Sequence, residues 1–229
     1  MTPALTRLLL VRHGATTATE EDRFSGSSGA ELSEEGRRQA TRLGERLSRD
    51  TIAAIYTSPQ SRAMDTARII AGHCGREAIA RDGLREIGHG HWEGLKRAEV
   101  EQTFAAEYAA WEADPFTFAP EGGESGVAAL ARALPVIRQI VLDHPGGRVV
   151  VVSHKATLRL IVSSVLGFDP RTYRDRLDQS PACLNVIDFK APDRARLMLF
   201  NDTSHYAERP RTSDQVLSRW WSRPSGVSR

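Results

Sequence analysis

Two unbroken apolar runs, Leu8-Leu9-Leu10-Val11 and Val149-Val150-Val151-Val152, stand apart from a chain whose other apolar residues recur every third or fourth position. Short runs of this kind read as strands buried on both faces of a parallel sheet. Helical spacing appears as Ala40, Leu43 and Leu47 within residues 33–50, and as Ala63, Ala67 and Ile70 within residues 59–72. It returns as Val127, Leu130, Leu134, Ile137 and Val141 within residues 125–144, and from Ala156 to Leu166, where Gly167 stops it. The pattern predicts a helix in each stretch, with these apolar residues inward. Ser33 caps the first ahead of Glu34 and Glu35, Pro59 opens the second, and Pro135 is expected to kink the third. Residues 52–57 read as a strand; Val186–Phe189 and Leu197–Phe200 read as an antiparallel pair joined at Pro192-Asp193.

Strands separated by helical stretches give an α/β fold: three αβα layers around a mostly parallel mixed sheet, with helices on both faces. From about 88 to 123 the alternation lapses and Trp92, Phe104, Tyr108, Trp111, Phe116 and Phe118 gather. This segment reads as an inserted helical cap over a crevice, with a satellite core as the plainer account of most of those aromatics. Residues 1–206 are expected to form one domain, followed by a 207–229 tail in which Trp220 and Trp221 could dock on the body or on a partner.

Bulk composition narrows the function classes. Lys and Arg number 31 against 29 Asp and Glu, a net charge of +2 that is too small and too evenly spread for a nucleic-acid footprint. Cys74 and Cys183 lack metal-ligand spacing and read as reduced thiols of a cytoplasmic protein. The N-terminal apolar run is too short for a membrane span. The expectations are no structural zinc, no nucleic acid, no membrane, and a monomer or homodimer.

Candidate chemistry sits where the two apolar runs end. The first leads into Arg12-His13-Gly14 and the second into Ser153-His154-Lys155. In open α/β sheets ligands bind at strand exits, so two histidines so placed point to one crevice. Between them lie Arg62, in the first turn of a helix, and Glu86, in the glycine-punctuated Leu84-Arg85-Glu86-Ile87-Gly88. Each residue alone has a plain structural alternative: a helix-capping His154, a tautomer-locked core His13, an Arg12 paired to an acid, a solvated Arg62, a Glu86 paired to Arg85.

Together the segments resemble the histidine phosphatase superfamily, which contains the cofactor-dependent phosphoglycerate mutases and small bacterial phosphatases. The likeness runs from residue 5 to about 206 and includes Asn201-Asp202-Thr203-Ser204-His205. It implies His13 as nucleophile, Arg12, Arg62 and His154 as phosphoryl ligands, and Glu86 as proton donor and later base, kept protonated by apolar cover near Trp92. Gly14, Thr16, Thr19, Arg23, Ser25, Gly26 and Lys155 would form the substrate-binding rim, with His89 and His91 nearby. Ala15, Thr19, Ser25 and Lys155 depart from the family pattern, and Lys155 is either a plain surface charge or the mark of a substrate with a second anionic group, a bisphosphate or a phosphorylated acid.

The implied activity is a metal-independent, cofactor-free phosphomonoester hydrolase of acid or broad-specificity type, acting on a small phosphorylated metabolite through a phosphohistidine. A phosphoglycerate mutase-type isomerase is the alternative, although Gly90-His91-Trp92-Glu93-Gly94 resembles the phosphatase branch. A catalytically silent phospho-ligand-binding module is the third reading.

Overall fold

A computed structural model of the chain describes residues 5–17, 23–26 and 29–207. Thr19, Trp220 and Trp221 lie outside the described residues. The strands are β1 (Thr6–Arg12), β2 (Ala54–Thr57), β3 (Ala78–Ala80), β4 (Arg148–Ser153), β5 (Leu184–Ala191) and β6 (Arg194–Asp202). They form one sheet in the order β3-β2-β4-β1-β5-β6. The pairs β3/β2, β2/β4 and β4/β1 are parallel, while β1/β5 and β5/β6 are antiparallel. Helices α1 (Glu34–Leu47), α2 (Ser61–Cys74), α5 (Gly126–Asp143) and α6 (Lys155–Leu166) complete the layers. Two short helices, α3 (Arg97–Thr103) and α4 (Ala105–Ala113), follow the Glu86 loop, and α7 (Tyr173–Arg176) follows α6.

The apolar runs are continuous because both sheet faces are covered. Leu8, Leu10, Val149 and Val151 pack with Ile137 and Ile140 of α5 and Leu158 and Ile161 of α6. Their alternate neighbours Leu9, Val11, Val150 and Val152 pack with Leu43 and Leu47 of α1 and Ala67 and Ile70 of α2 on the other side. Successive side chains of a strand point to opposite faces, so an alternating polar pattern would have placed polar groups in one of these two cores.

Several boundaries depart from the periodicity. α2 starts at Ser61 behind a Gln60 cap rather than at Pro59, but Arg62 still falls in its first turn. β3 leaves no recognisable strand pattern, because Ala78-Ile79-Ala80 is a three-residue edge strand with Ala78 half-buried and Ile79 and Ala80 exposed. In α5 the buried stripe is Gly126, Ala129, Ala133, Ile137, Ile140 and Val141, so the helix is turned relative to expectation and Val127 is 46% exposed. Small residues explain the turn: Ala129 and Ala133 let α5 approach the body closely, and bulkier Leu130 and Leu134 are displaced to its flanks. α5 continues through Pro135, which lies on the exposed side where water can satisfy the carbonyl that loses its donor.

The aromatics after Glu86 mainly form their own core. Phe24, Trp92, Val100 and Trp111 are buried together, flanked by Phe104, Tyr108 and Phe118. Phe116 packs separately with Ile87, Ala129, Leu160 and Tyr173.

Candidate active site

Strand register brings the two histidines together. β1 and β4 run parallel with Val11 beside Val152 and Arg12 beside Ser153, so His13 and His154 leave the sheet side by side. The His13 amide donates to Ser153 O at 3.0 Å, and the two ring centroids are 5.1 Å apart. β2 ends at the same level, where the Ser58 amide donates to Val152 O at 3.0 Å and Ser58 Oγ lies 2.8 Å from His154 Nε2.

His13 Nδ1 lies 2.7 Å from Gly14 O. A carbonyl only accepts, so Nδ1 carries the ring proton in that contact and Nε2 holds the lone pair. Burial lowers the His13 pKa well below its ordinary value, and the charges of Arg12 and Arg62 lower it further; the Gly14 hydrogen bond partly opposes them. His154 is shifted the same way, first by burial and then by His13, Arg62 and Arg12. Its Nδ1 is buried without a partner among the described residues. With Ser58 Oγ–H donating to Nε2, Nδ1–H would be left to serve a ligand.

Both arginines are held by backbone carbonyls. Arg12 Nη1 donates to Gln179 O at 2.6 Å, while its Nε is buried without a partner among the described residues. Arg62, 1% exposed, donates through Nη2 to Gly26 O at 2.8 Å and Ser25 O at 3.1 Å. Carbonyl contacts fix each fork without neutralising its charge, which suits a group that will meet an anion.

Glu86 occupies the N-terminus of α6. Its Oε1 accepts from the amides of Ile87 at 3.0 Å and Thr157 at 3.1 Å, and its Oε2 from the Ala156 amide at 3.1 Å. Thr157 Oγ1, 3.0 Å from Oε1 and 2.7 Å from Arg85 O, has one proton to give to one of them. The expectation of apolar cover from Trp92 is therefore corrected: the carboxyl sits among donors, and Trp92 belongs to the aromatic core. Arg85 is not its partner either, because Arg85 pairs with Asp82.

The Glu86 loop is clamped from two sides. Arg132 of α5 donates to the carbonyls of Gly83 and Arg85 at 2.8 Å each and of Glu86 at 3.1 Å, and forms a two-pronged ion pair with Glu124. Gln60 Oε1 accepts from the Glu86 amide at 3.0 Å while its Nε2 donates to Gly26 O at 2.6 Å. Neither residue carried a sequence signal beyond helix-surface polarity.

A cavity of about 200 Å³ opens over this floor. Arg12, His13 and Glu86 line it together with Arg23, Ser25 and Lys155 of the expected rim and with His89. Arg62 and His154 lie beneath, buried at 1% and 0% exposure. Gly14, Thr16 and Gly26 do not line the cavity: all three are buried in the packing around it. A Cβ on Gly14 would fall 2.4 Å from Gly36 O, and one on Gly26 would fall 2.1 Å from Ile87 O, so these glycines permit close backbone contact rather than ligand approach. His91 is also outside, tilted against Phe104 with ring centroids 4.4 Å apart and its Nε2 3.1 Å from Glu107.

The far wall was not anticipated. Arg159 of α6, Tyr173 and Arg174 of α7, and Arg97, Phe24 and Trp111 of the aromatic core complete the lining. Arg174 lies 4.0 Å from the Trp111 ring centroid and 3.4 Å from Glu112. Arg159 is one helical turn from Lys155, a spacing that could have marked it. Among the described residues no group of His, Cys, Asp and Glu could hold a metal ion, and no helix is long and apolar enough to cross a membrane.

Comparison with known proteins finds relatives in sequence and in fold. The chain is 33% identical over 165 residues to phosphoserine phosphatase 1 of Hydrogenobacter thermophilus, covering 72% of this chain and 78% of that protein. It is 33% identical over 168 residues to a glucosyl-3-phosphoglycerate phosphatase of Mycobacterium tuberculosis, covering 70% and 75%. The solved structure of Bacillus stearothermophilus YhfR superposes with a TM-score of 0.82 at 31% identity, covering 87% of this chain and 98% of that one. Some mycobacterial relatives are longer, and the chain spans 55% of their length. The model of the histidine phosphatase superfamily (branch 1) matches residues 8–203, and the chain belongs to that superfamily.

Proposed function

We propose that the chain is a phosphomonoester hydrolase that cleaves a small phosphorylated metabolite through a phosphohistidine on His13, without a metal ion. The observation that carries this reading is the contact of His13 Nδ1 with Gly14 O at 2.7 Å beside two guanidinium groups, which leaves Nε2 unprotonated at working pH. Nε2 attacks phosphorus and the P–O bond to the alcohol breaks. Arg12, Arg62 and His154 take the phosphoryl oxygens, where each charged hydrogen bond contributes roughly 1.5–3 kcal/mol. A proton that the ester brings in as its monoanion passes through Glu86 to the departing alkoxide; Glu86 then takes one from the water that attacks the phosphohistidine, returning His13 and releasing phosphate.

The cavity volume supports a small substrate, since about 200 Å³ lies below the roughly 300–1,000 Å³ usual for small-molecule pockets. The names of the two relatives above point the same way, toward small phosphorylated compounds. A panel of phosphometabolites assayed with wild type and His13→Ala, with and without a chelator, tests the reading. Phosphate release that needs His13 and ignores the chelator is expected. Isomerisation without phosphate release would replace it with the mutase reading, and activity that survives His13→Ala would remove the mechanism.

A further inference from the structure

We infer that the buried amide pair of Gln179 and Asn185 positions Arg12, setting where that guanidinium meets a phosphoryl oxygen. This rests on the phosphohydrolase reading above and adds residues that act on the phosphoryl site without touching substrate.

Arg12 is anchored at Gln179 O, 2.6 Å from its Nη1. Wherever that carbonyl stands the fork must follow, because its N–H groups keep fixed directions relative to one another. Gln179 belongs to residues 177–183, a stretch between α7 and β5 that is neither helix nor strand. No ladder of backbone hydrogen bonds fixes such a segment, so side chains must.

Asn185 of β5 stands opposite Leu10 of β1, two residues before Arg12. Its four hydrogen-bonding positions are all filled. Nδ2 donates to Leu10 O at 3.1 Å and to Gln179 Oε1 at 2.8 Å, while Oδ1 accepts from Gln179 Nε2 at 3.0 Å and from the Asn201 amide at 2.8 Å. The reciprocal pair thus ties Gln179 to the strand that carries Arg12, with Gln179 1% and Asn185 0% exposed. Cys183 Sγ, 3.0 Å from Gln179 Oε1, adds a weak donor.

The turn that follows is pinned as well. The Ser180 amide donates to Asn201 Oδ1 at 2.6 Å, the Tyr206 hydroxyl to Pro181 O at 2.7 Å, and the Ala182 amide to His13 O at 3.0 Å. Ala182 has a φ of 50°, a left-handed conformation that a residue with a side chain keeps only where its surroundings impose it. Packing alone would be served as well by apolar side chains of the same shape. A buried polar network satisfied throughout instead specifies one arrangement, and what this one holds in place is the carbonyl under Arg12.

The test is a double-mutant cycle on the full chain, read as the dissociation constant for inorganic phosphate and as kcat/KM for p-nitrophenyl phosphate. Gln179→Met keeps the length and removes the amide. With Arg12 present it is expected to weaken phosphate binding and lower kcat/KM by about tenfold each, the effect of misplacing one charged contact. In the Arg12→Ala background it should change neither by more than about twofold. Asn201→Gly is the gentler variant: glycine takes the φ of 49° freely, the amide that reaches Asn185 stays, and only the Ser180 bond is lost. It should show the same dependence on Arg12 at about threefold, and it decides the question should Gln179→Met fail to fold. Losses of equal size in both backgrounds, or unchanged phosphate affinity in both variants, overturn the positioning role, while His13-dependent turnover of the ester would still uphold the phosphohydrolase reading. Arg12→Ala that binds phosphate as tightly as wild type would remove Arg12 from the phosphoryl site, and with it the role of Gln179 and Asn185. Absence of His13-dependent turnover would overturn the phosphohydrolase reading itself.

Discussion

Glu86→Gln separates the two jobs this carboxyl is given. The substitution keeps shape but turns one oxygen into an NH2 group, and both oxygens face N–H donors: Ile87 and Thr157 on Oε1, Ala156 on Oε2. The least damaging rotamer puts the new amide against Ala156, losing one charged hydrogen bond and the favourable charge at the α6 N-terminus. That amounts to roughly 1.5–3 kcal/mol for the bond and 0.3–1 kcal/mol for the helix end, about 2–4 kcal/mol of stability. Loss of general acid–base catalysis should lower kcat by about 10²–10⁴-fold on alkyl phosphates. An aryl ester such as p-nitrophenyl phosphate leaves without needing a proton, so its first step should survive while hydrolysis of the phosphohistidine stalls. Stopped-flow mixing of the variant with that ester is then expected to show a burst of nitrophenolate close to one equivalent of enzyme, followed by slow turnover. Equal losses on both esters with no burst, in a variant that melts cooperatively, would refute Glu86 as the proton carrier.

Other outcomes follow from the same geometry. Gly14→Ala places a methyl 2.4 Å from a backbone carbonyl of α1 and should cost about 1–3 kcal/mol; a thermal melt indistinguishable from wild type would contradict the close-contact account. Arg62→Lys keeps the charge but cannot hold Ser25 O and Gly26 O while reaching phosphate, so kcat/KM should fall by about tenfold or more on every ester alike; a loss confined to one substrate would place Arg62 outside the phosphoryl site.

What the sequence revealed, and what it hid, has a physical pattern. His13 and His154 were legible because each closes an apolar run long enough to be a buried strand, and parallel register does the rest. The antiparallel β5/β6 pair was legible from its Pro192-Asp193 turn. β3 was not, since a three-residue edge strand whose Ile79 faces solvent buries too little to leave a pattern. In α5 the rule that large apolar residues face inward failed where close approach needed Ala129 and Ala133 instead. Arg159 and Arg174 look like solvated helix charges in one dimension; only the fold shows that α6 and α7 turn them into a cavity. Gly14 was expected on the substrate-binding rim, but its missing side chain admits the backbone of Gly36 instead.

Trapping the intermediate tests the centre of the account. Wild type or Glu86→Gln, mixed with an excess of p-nitrophenyl phosphate, quenched in alkali and digested, should carry an acid-labile phosphate on the peptide containing His13, and His13→Ala should carry none. Phosphate on His154, or full turnover with no phosphorylated histidine and undiminished activity in His13→Ala, would contradict it.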